Sequence, residues 1–154
     1  LGVLKAWALT MTGQLDRAEQ ALQTAERLLT LPVTSVEGRT VLGSIFAARA
    51  SGANMQGDTR RAAEFAQQAL DGLPDANLFA CSMQGVATSI LGDASWINGD
   101  LEEATNAYTE AIRIGREARN LHMIIIATPY RPSSAVSQVL APFFGPVRSA
   151  SSSG

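Results

Sequence analysis

The distribution of apolar and polar residues along the chain is most regular after three glycines, Gly13, Gly57 and Gly99. Each glycine is followed by apolar or small residues three or four positions apart, a spacing that places them on one face of an α-helix. The three stripes are Leu15, Ala18, Leu22 and Ala25; Thr59, Ala62, Ala66 and Ala69; and Leu101, Ala104, Tyr108 and Ala111. Because the glycines are 44 and then 42 residues apart, the pattern predicts an internal repeat of helix–turn–helix units.

The helix boundaries follow from this periodicity and from residues that stop helices. The pattern predicts helices over residues 2–12, 14–29, 35–50, 58–70, 75–98 and 100–119, with a seventh attempted over 121–127. Pro32 ends the second helix because a proline ring cannot continue one, and Gly72 with Pro74 closes the fourth. Asp100 suits an N-cap and, with Glu103 three residues later, forms a capping-box pattern.

These helices predict an all-α fold in which three helix pairs and a partial fourth stack into a right-handed α-solenoid. Repeats of this kind bury their core only by stacking on one another. We assign residues 1–127 to the repeat domain. Residues 128–154 hold four of the six prolines and a serine-rich end, so we expect a largely irregular tail there.

Composition narrows the class of protein. Hydrophobic residues make up 46 % of the 154 residues and charged residues only 17 %, whereas about 25 % charged is typical, so we expect a folded chain. The formal net charge is −2 and the basic residues are scattered. This argues against nucleic-acid contact by this segment, which needs clustered Lys and Arg.

The single cysteine, Cys81, excludes an internal disulfide and fits a reducing compartment. The sequence has no signal-peptide pattern and no apolar run approaching about 18 residues. We therefore expect a cytoplasmic location and no membrane contact. The chain begins inside a helical pattern without an initiator methionine, so we interpret it as a piece of a longer protein.

The third repeat resembles the tetratricopeptide repeat (TPR) in its spacing. That pattern places Leu-Gly, Gly, an apolar residue and two alanines at fixed positions. The residues that match it without a gap are Leu91-Gly92, Gly99, Leu101, Ala104 and Ala111, with Tyr108 at the aromatic position between the alanines.

The repeat of about 43 residues is longer than the usual TPR, and four phrases resemble the helical-repeat region of the MalT-like, large ATP-binding members of the LuxR family of bacterial transcription activators. The phrases begin at Gly13 (Gly-Gln-Leu-Asp-Arg-Ala-Glu), Gly57 (Gly-Asp-Thr-Arg-Arg-Ala), Gly99 (Gly-Asp-Leu-Glu-Glu-Ala) and Ala111 (Ala-Ile-Arg-Ile-Gly-Arg-Glu-Ala-Arg). The resemblance implies a region between a nucleotide-binding module and a helix-turn-helix that senses an inducer or a protein partner. Neither flanking motif occurs in these 154 residues.

The TPR resemblance also implies a binding surface, because the first helix of each repeat lines the concave face of such arrays. Counting back from Gly99 and Gly13, the residues expected on that face are Trp7, Thr10, Val86, Ser89, Asp93 and Trp96, with Val3 beside them. Two tryptophans on one face suit recognition, since aromatic anchors dominate binding energy. Alternatively, Trp96 packs against the next repeat.

No set of titratable residues converges as catalysis requires. The only histidine, His122, cannot form a His-rich metal site, and Cys81 is expected to fill the core. We therefore expect no enzyme activity, no cofactor and no metal ion. The resemblance to the MalT-like family implies a sensor or interaction region of a LuxR-type regulator that binds a protein partner or a small-molecule inducer, and we expect that it can self-associate through its repeat ends. The alternative is a general TPR scaffold for protein–protein interaction without a role in transcription.

Overall fold

The computed structural model describes residues 2–75 and 77–118, which form six α-helices. They are α1 (Gly2–Met11), α2 (Leu15–Arg27), α3 (Val36–Met55), α4 (Thr59–Gly72), α5 (Leu78–Asn98) and α6 (Leu101–Glu117). The helices pack as three consecutive pairs, α1–α2, α3–α4 and α5–α6, and each pair contacts the next. The predicted all-α solenoid of TPR-like repeats is confirmed. The predicted partial fourth pair at 121–127 and the tail at 128–154 lie outside the described residues.

Each helix pair is closed by a turn through one left-handed glycine. Gly13, Gly57 and Gly99 have φ angles of 75°, 76° and 83°, a conformation that side chains with a Cβ rarely adopt. The backbone N–H of the residue after each glycine donates a hydrogen bond to the carbonyl five residues earlier. In the second pair this bond runs from Asp58 to Ala53 at 3.0 Å. The three turns therefore have the same geometry, and they set the register of each pair.

Two boundaries differ from the prediction for local reasons. Helix α3 continues to Met55 because Gly52 keeps helical geometry and only Gly57 takes a positive φ angle. Helix α5 begins at Leu78, where the side chain of Asn77 accepts a hydrogen bond from the Ala80 N–H at 2.9 Å and caps the helix. The predicted cap at Asp100 is confirmed, since its carboxylate accepts from the Glu103 N–H.

Small residues let the second and third pairs approach closely. The stripe of α4 (Ala62, Ala66 and Ala69) is buried in one cluster with Ala80, Met83 and Ala87 of α5. Three residues of the α6 stripe, Ala104, Tyr108 and Ala111, are buried in a second cluster and exposed by 1 % or less, whereas Leu101 at the start of the stripe is 56 % exposed. The first pair joins α3 through a third cluster formed by Ala6, Leu22, Ile45 and Ala48.

The two helices of the third pair approach closely at Gly92 of α5, which lies against the ring of Tyr108. A Cβ at position 92 would lie 2.8 Å from Tyr108 Cε1 and 3.0 Å from Cδ1. The ring is buried and cannot swing away without breaking the cluster around it. This contact explains why the third repeat has glycine at this position.

We predict that Gly92→Ala destabilises the fold relative to a matched control, Gly52→Ala. In both variants alanine replaces a glycine inside a helix, and this change alone stabilises the helix by up to about 1 kcal/mol. A Cβ at position 52 has no neighbour within 4 Å, so Gly52→Ala introduces no steric clash. The overpacking cost of about 1–3 kcal/mol falls on Gly92→Ala alone. Urea unfolding followed by circular dichroism measures the difference, and equal stabilities would show that the contact with Tyr108 is not tight.

Candidate binding surface

The six residues predicted to line a concave surface have different environments. Trp96, near the end of α5, is exposed over 48 % of its surface. Val86 and Asp93 on the same helix are half-buried, and Trp7 on α1 is half-buried as well. Thr10 and Ser89 are buried. Of the six, only Trp96 is largely open to solvent, so the binding role of the set stays a prediction.

The hydroxyl groups of Thr10 and Ser89 bond to carbonyls of their own helices. Thr10 Oγ1 donates to the Ala6 carbonyl at 3.0 Å, and Ser89 Oγ donates to the Val86 carbonyl at 2.8 Å. Val86 itself packs against two of the apolar clusters. Neither hydroxyl faces solvent in this structure, and Val86 contributes to the packing between α5 and its neighbours.

Trp7 joins the first helix pair to the second. Its ring packs against the cluster between α3, α4 and α5 and against the cluster between α1, α2 and α3. The indole Nε1 is buried and has no hydrogen-bond partner among the described residues, an arrangement that costs free energy. Burial of the ring must therefore outweigh the unsatisfied donor.

Asp93 is the centre of a polar link between three helices. Its Oδ1 accepts from the Tyr108 hydroxyl of α6 at 2.7 Å, and its Oδ2 accepts from Asn54 Nδ2 of α3 at 2.8 Å. Hydrogen bonds to a charged group are stronger than neutral ones. The link therefore holds the second and third pairs together one helical turn before Trp96.

In addition to the apolar packing of Trp7, the first and second pairs are joined by ion pairs of Arg49 that sequence analysis did not predict. Arg49 of α3 is only 13 % exposed, and its Nη2 lies 3.0 Å from Glu19 Oε1 and 2.9 Å from Glu26 Oε2 of α2. Burial alone lowers the pKa of Arg49, but the hydrogen bonds and charges of Glu19 and Glu26 outweigh burial and raise it above its ordinary value. Arg49 is therefore charged at neutral pH.

Two grooves flank the first helix pair. The smaller, of about 310 Å³, lies between α2 on one side and α3 with α4 on the other, and is lined by Glu19, Arg49 and Arg61 among others. The larger, of about 1010 Å³, runs along α1 and α2 to Val41 and Phe79 and is mainly apolar. Neither tryptophan lines either groove. For the ion pairs of Arg49, the sequence offered one signal: Glu19 and Glu26 are seven residues apart, on one face of the predicted second helix.

Two further features bear on the kind of site. Among residues 2–75 and 77–118, no three side chains of His, Cys, Asp or Glu are grouped so that they would hold a metal ion. No helix in this part of the chain combines the length and the apolar character needed to cross a bilayer. His122 lies outside the described residues.

Comparison with protein families relates this geometry to a known type of region. The model for the MalT-like TPR region matches residues 43–132, which is 90 of the 154 residues. The match begins within α3, covers the rest of the second helix pair and all of the third, and extends past the end of α6. A search of curated proteins and a search of solved structures gave no match.

We predict that Tyr108 and Asp93 are energetically coupled in a double-mutant cycle of Tyr108→Phe and Asp93→Ala. A hydrogen bond to a charged acceptor contributes about 1.5–3 kcal/mol to stability. The double variant should therefore lose less unfolding free energy than the two single variants lose in sum, by at least about 0.5 kcal/mol. A control cycle pairs Asp93→Ala with Arg113→Ala, because Arg113 bonds Glu110 and Glu117 on the exposed face of α6. Additive costs in both cycles, measured by urea unfolding, would contradict a stabilising link.

Proposed function

The chain belongs to the family of MalT-like TPR regions, and on this basis we propose that it is the sensor or interaction region of a LuxR-type transcriptional regulator. In this role it binds a small-molecule inducer or a protein partner and passes the signal to modules elsewhere in the parent protein. It has no catalytic activity of its own. Stacked helical repeats suit such a task because they expose long surfaces on a regular scaffold.

The observation that carries this proposal is the exposed ring of Trp96 beside the polar link. A large aromatic side chain that is 48 % exposed is a natural anchor for a ligand, since tryptophan is enriched at binding hot spots. Asp93 lies one turn earlier and is fixed by Asn54 and Tyr108. A ligand bound to Trp96 would therefore lie beside the contact between the second and third helix pairs.

A general TPR scaffold is the second candidate, and the larger groove favours it. That groove is mainly apolar and open along two helices, a shape that suits a helix of another protein better than a small polar inducer. The parent gene separates the candidates. A phosphate-binding loop encoded upstream and a helix-turn-helix encoded downstream support the regulator, and their absence contradicts it.

We predict that Trp96→Ala abolishes ligand binding without loss of fold. Saturation-transfer NMR with panels of small sugars, amino acids and short peptides identifies a binder for the wild-type chain, and the same binder is then applied to the variants. Because about half of the Trp96 side chain is buried, its removal should lower the free energy of unfolding by about 1–3 kcal/mol and leave the helices folded.

The matched control is Ile97→Ala, which removes the neighbouring side chain of similar exposure, 63 %. The control should bind as the wild type does, and circular dichroism should show the same helix content in all three proteins. Binding by Trp96→Ala at wild-type affinity would place the site elsewhere. Unfolding of Trp96→Ala would instead indicate that Trp96 packs against another part of the chain.

A further inference from the structure

The smaller groove, of about 310 Å³, lies at the junction of the first and second helix pairs. Its two walls are α2 on one side and α3 with α4 on the other, and the ion pairs of Arg49 and the burial of Leu22 hold these walls in place. Ligand sites in proteins span about 300–1,000 Å³. The groove is therefore of the size that suits a small metabolite and not a segment of another protein.

The charges of the groove are divided between its walls. Asp16 and Glu19 line it from α2, whereas Arg49 lines it from α3 and Arg61 from α4. The larger groove is mainly apolar, so the two grooves differ in the ligands that they suit. A groove with carboxylates on one wall and guanidinium groups on the other favours a molecule that carries both charges.

Both arginines keep hydrogen-bond donors that no described residue uses. Arg49 bonds Glu19 and Glu26 through Nε and Nη2, and its Nη1 has no partner in the described part of the chain. Arg61 Nε is 4.0 Å from Asp58 Oδ2, a long distance for an ion pair. The guanidinium of Arg61 lies 5.7 Å from the centre of the Phe65 ring, which also lines the groove. This contact with the ring holds Arg61 at the groove.

Asp16 is an acceptor without a partner among residues 2–75 and 77–118. It is exposed, and it forms no ion pair with Arg61, although both residues line the groove. The opposite charges of the two walls are thus held apart at this point. A ligand with an ammonium group and a carboxylate can reach both of them.

Gly52 is a second and independent indication of a ligand. Glycine inside a helix is less favourable than alanine, and at Gly43 and Gly92 the reason for it is a neighbour that a Cβ would meet at 2.5 Å or 2.8 Å. A Cβ at Gly52 would meet no atom within 4 Å. Gly52 lies between Ala48 and Gln56 at four-residue intervals, and all three line the groove. The space that a side chain would take is therefore part of the groove, where a ligand can approach the backbone closely.

We propose that this groove binds a small zwitterion with one carboxylate and one ammonium group, the chemistry shared by free amino acids and short peptides. The ligand carboxylate accepts hydrogen bonds from Arg61 and from Nη1 of Arg49. The ligand ammonium group donates to Asp16, and the atoms between the two charges lie against Gly52. Because the walls belong to different helix pairs, the bound ligand connects the first pair to the second. Neither tryptophan lines this groove, so the proposal goes beyond the proposed function and is tested separately from Trp96.

The test uses the whole chain and isothermal titration calorimetry with single compounds, namely the common α-amino acids and the dipeptides of each with glycine. We expect at least one compound to bind with a Kd of about 1 mM or lower. Its methyl ester and its N-acetyl derivative each lack one charge and should bind at least about tenfold more weakly. The tightest binder distinguishes the two sources of this chemistry, a free amino acid or a short peptide.

Gly52→Ala tests the site without endangering the fold, because the added Cβ meets no atom of the chain and alanine favours the helix. We expect this variant to weaken binding by at least about tenfold, since a methyl group overpacks the ligand. The matched control is Gly72→Ala. It also adds a Cβ to a helical glycine with no neighbour within 4 Å, but outside the groove, and should keep the wild-type Kd.

Arg61→Gln tests the charge and should also weaken binding by at least about tenfold. Its control is Arg116→Gln, which removes the same charge at an exposed site on α6 and should keep the wild-type Kd. No binding by any compound at about 10 mM would overturn the proposal. Wild-type affinity in either groove variant, or an equal loss in its control, would overturn the placement of the site. Equal binding of the uncharged derivatives would contradict recognition of a zwitterion.

Discussion

The left-handed glycine between the helices of each pair is the constraint on which the rest of the structure depends. Three such glycines reverse the chain with nearly the same φ angle, so equivalent positions of successive first helices point in the same direction. Asn54 can therefore reach Asp93 in the next pair, and Arg49 can reach back to α2. A side chain at any of these glycines would strain the backbone of the turn that sets the register of its pair.

Much of the fold was predictable because it depends on short-range patterns. The helical stripes after each glycine identified several buried residues, including Ala104, Tyr108 and Ala111, although Leu101 in the same stripe is 56 % exposed. The errors fell where a single residue can behave in two ways, as at Gly52, which remains inside α3. The binding surface was harder to predict. The register of a residue shows which face of its helix it lies on, but not whether another helix covers that face. Thr10 and Ser89 share the predicted face with Trp96 and yet are buried.

The two junctions between pairs are built from different interactions. The second and third pairs meet through alanines and through the bonds of Asp93, so the contact is close-packed and specific in geometry. The first and second pairs meet partly through Arg49 and its two carboxylates, above a polar groove. Charges at the edge of solvent are screened by salt, and close packing is not. The contribution of Arg49 to the first junction therefore weakens as salt is added, whereas the packing of alanines at the second junction does not.

The contrast between Trp7 and Trp96 has a consequence for spectroscopy. Trp7 lies among apolar clusters with its indole nitrogen buried, whereas Trp96 is largely exposed to water. Their emission therefore differs in wavelength, since water around an excited indole shifts its fluorescence to the red. The described part of the chain thus carries two intrinsic optical probes. Blue emission reports the packing of the first pair on the second, and red emission reports events at the surface of the third.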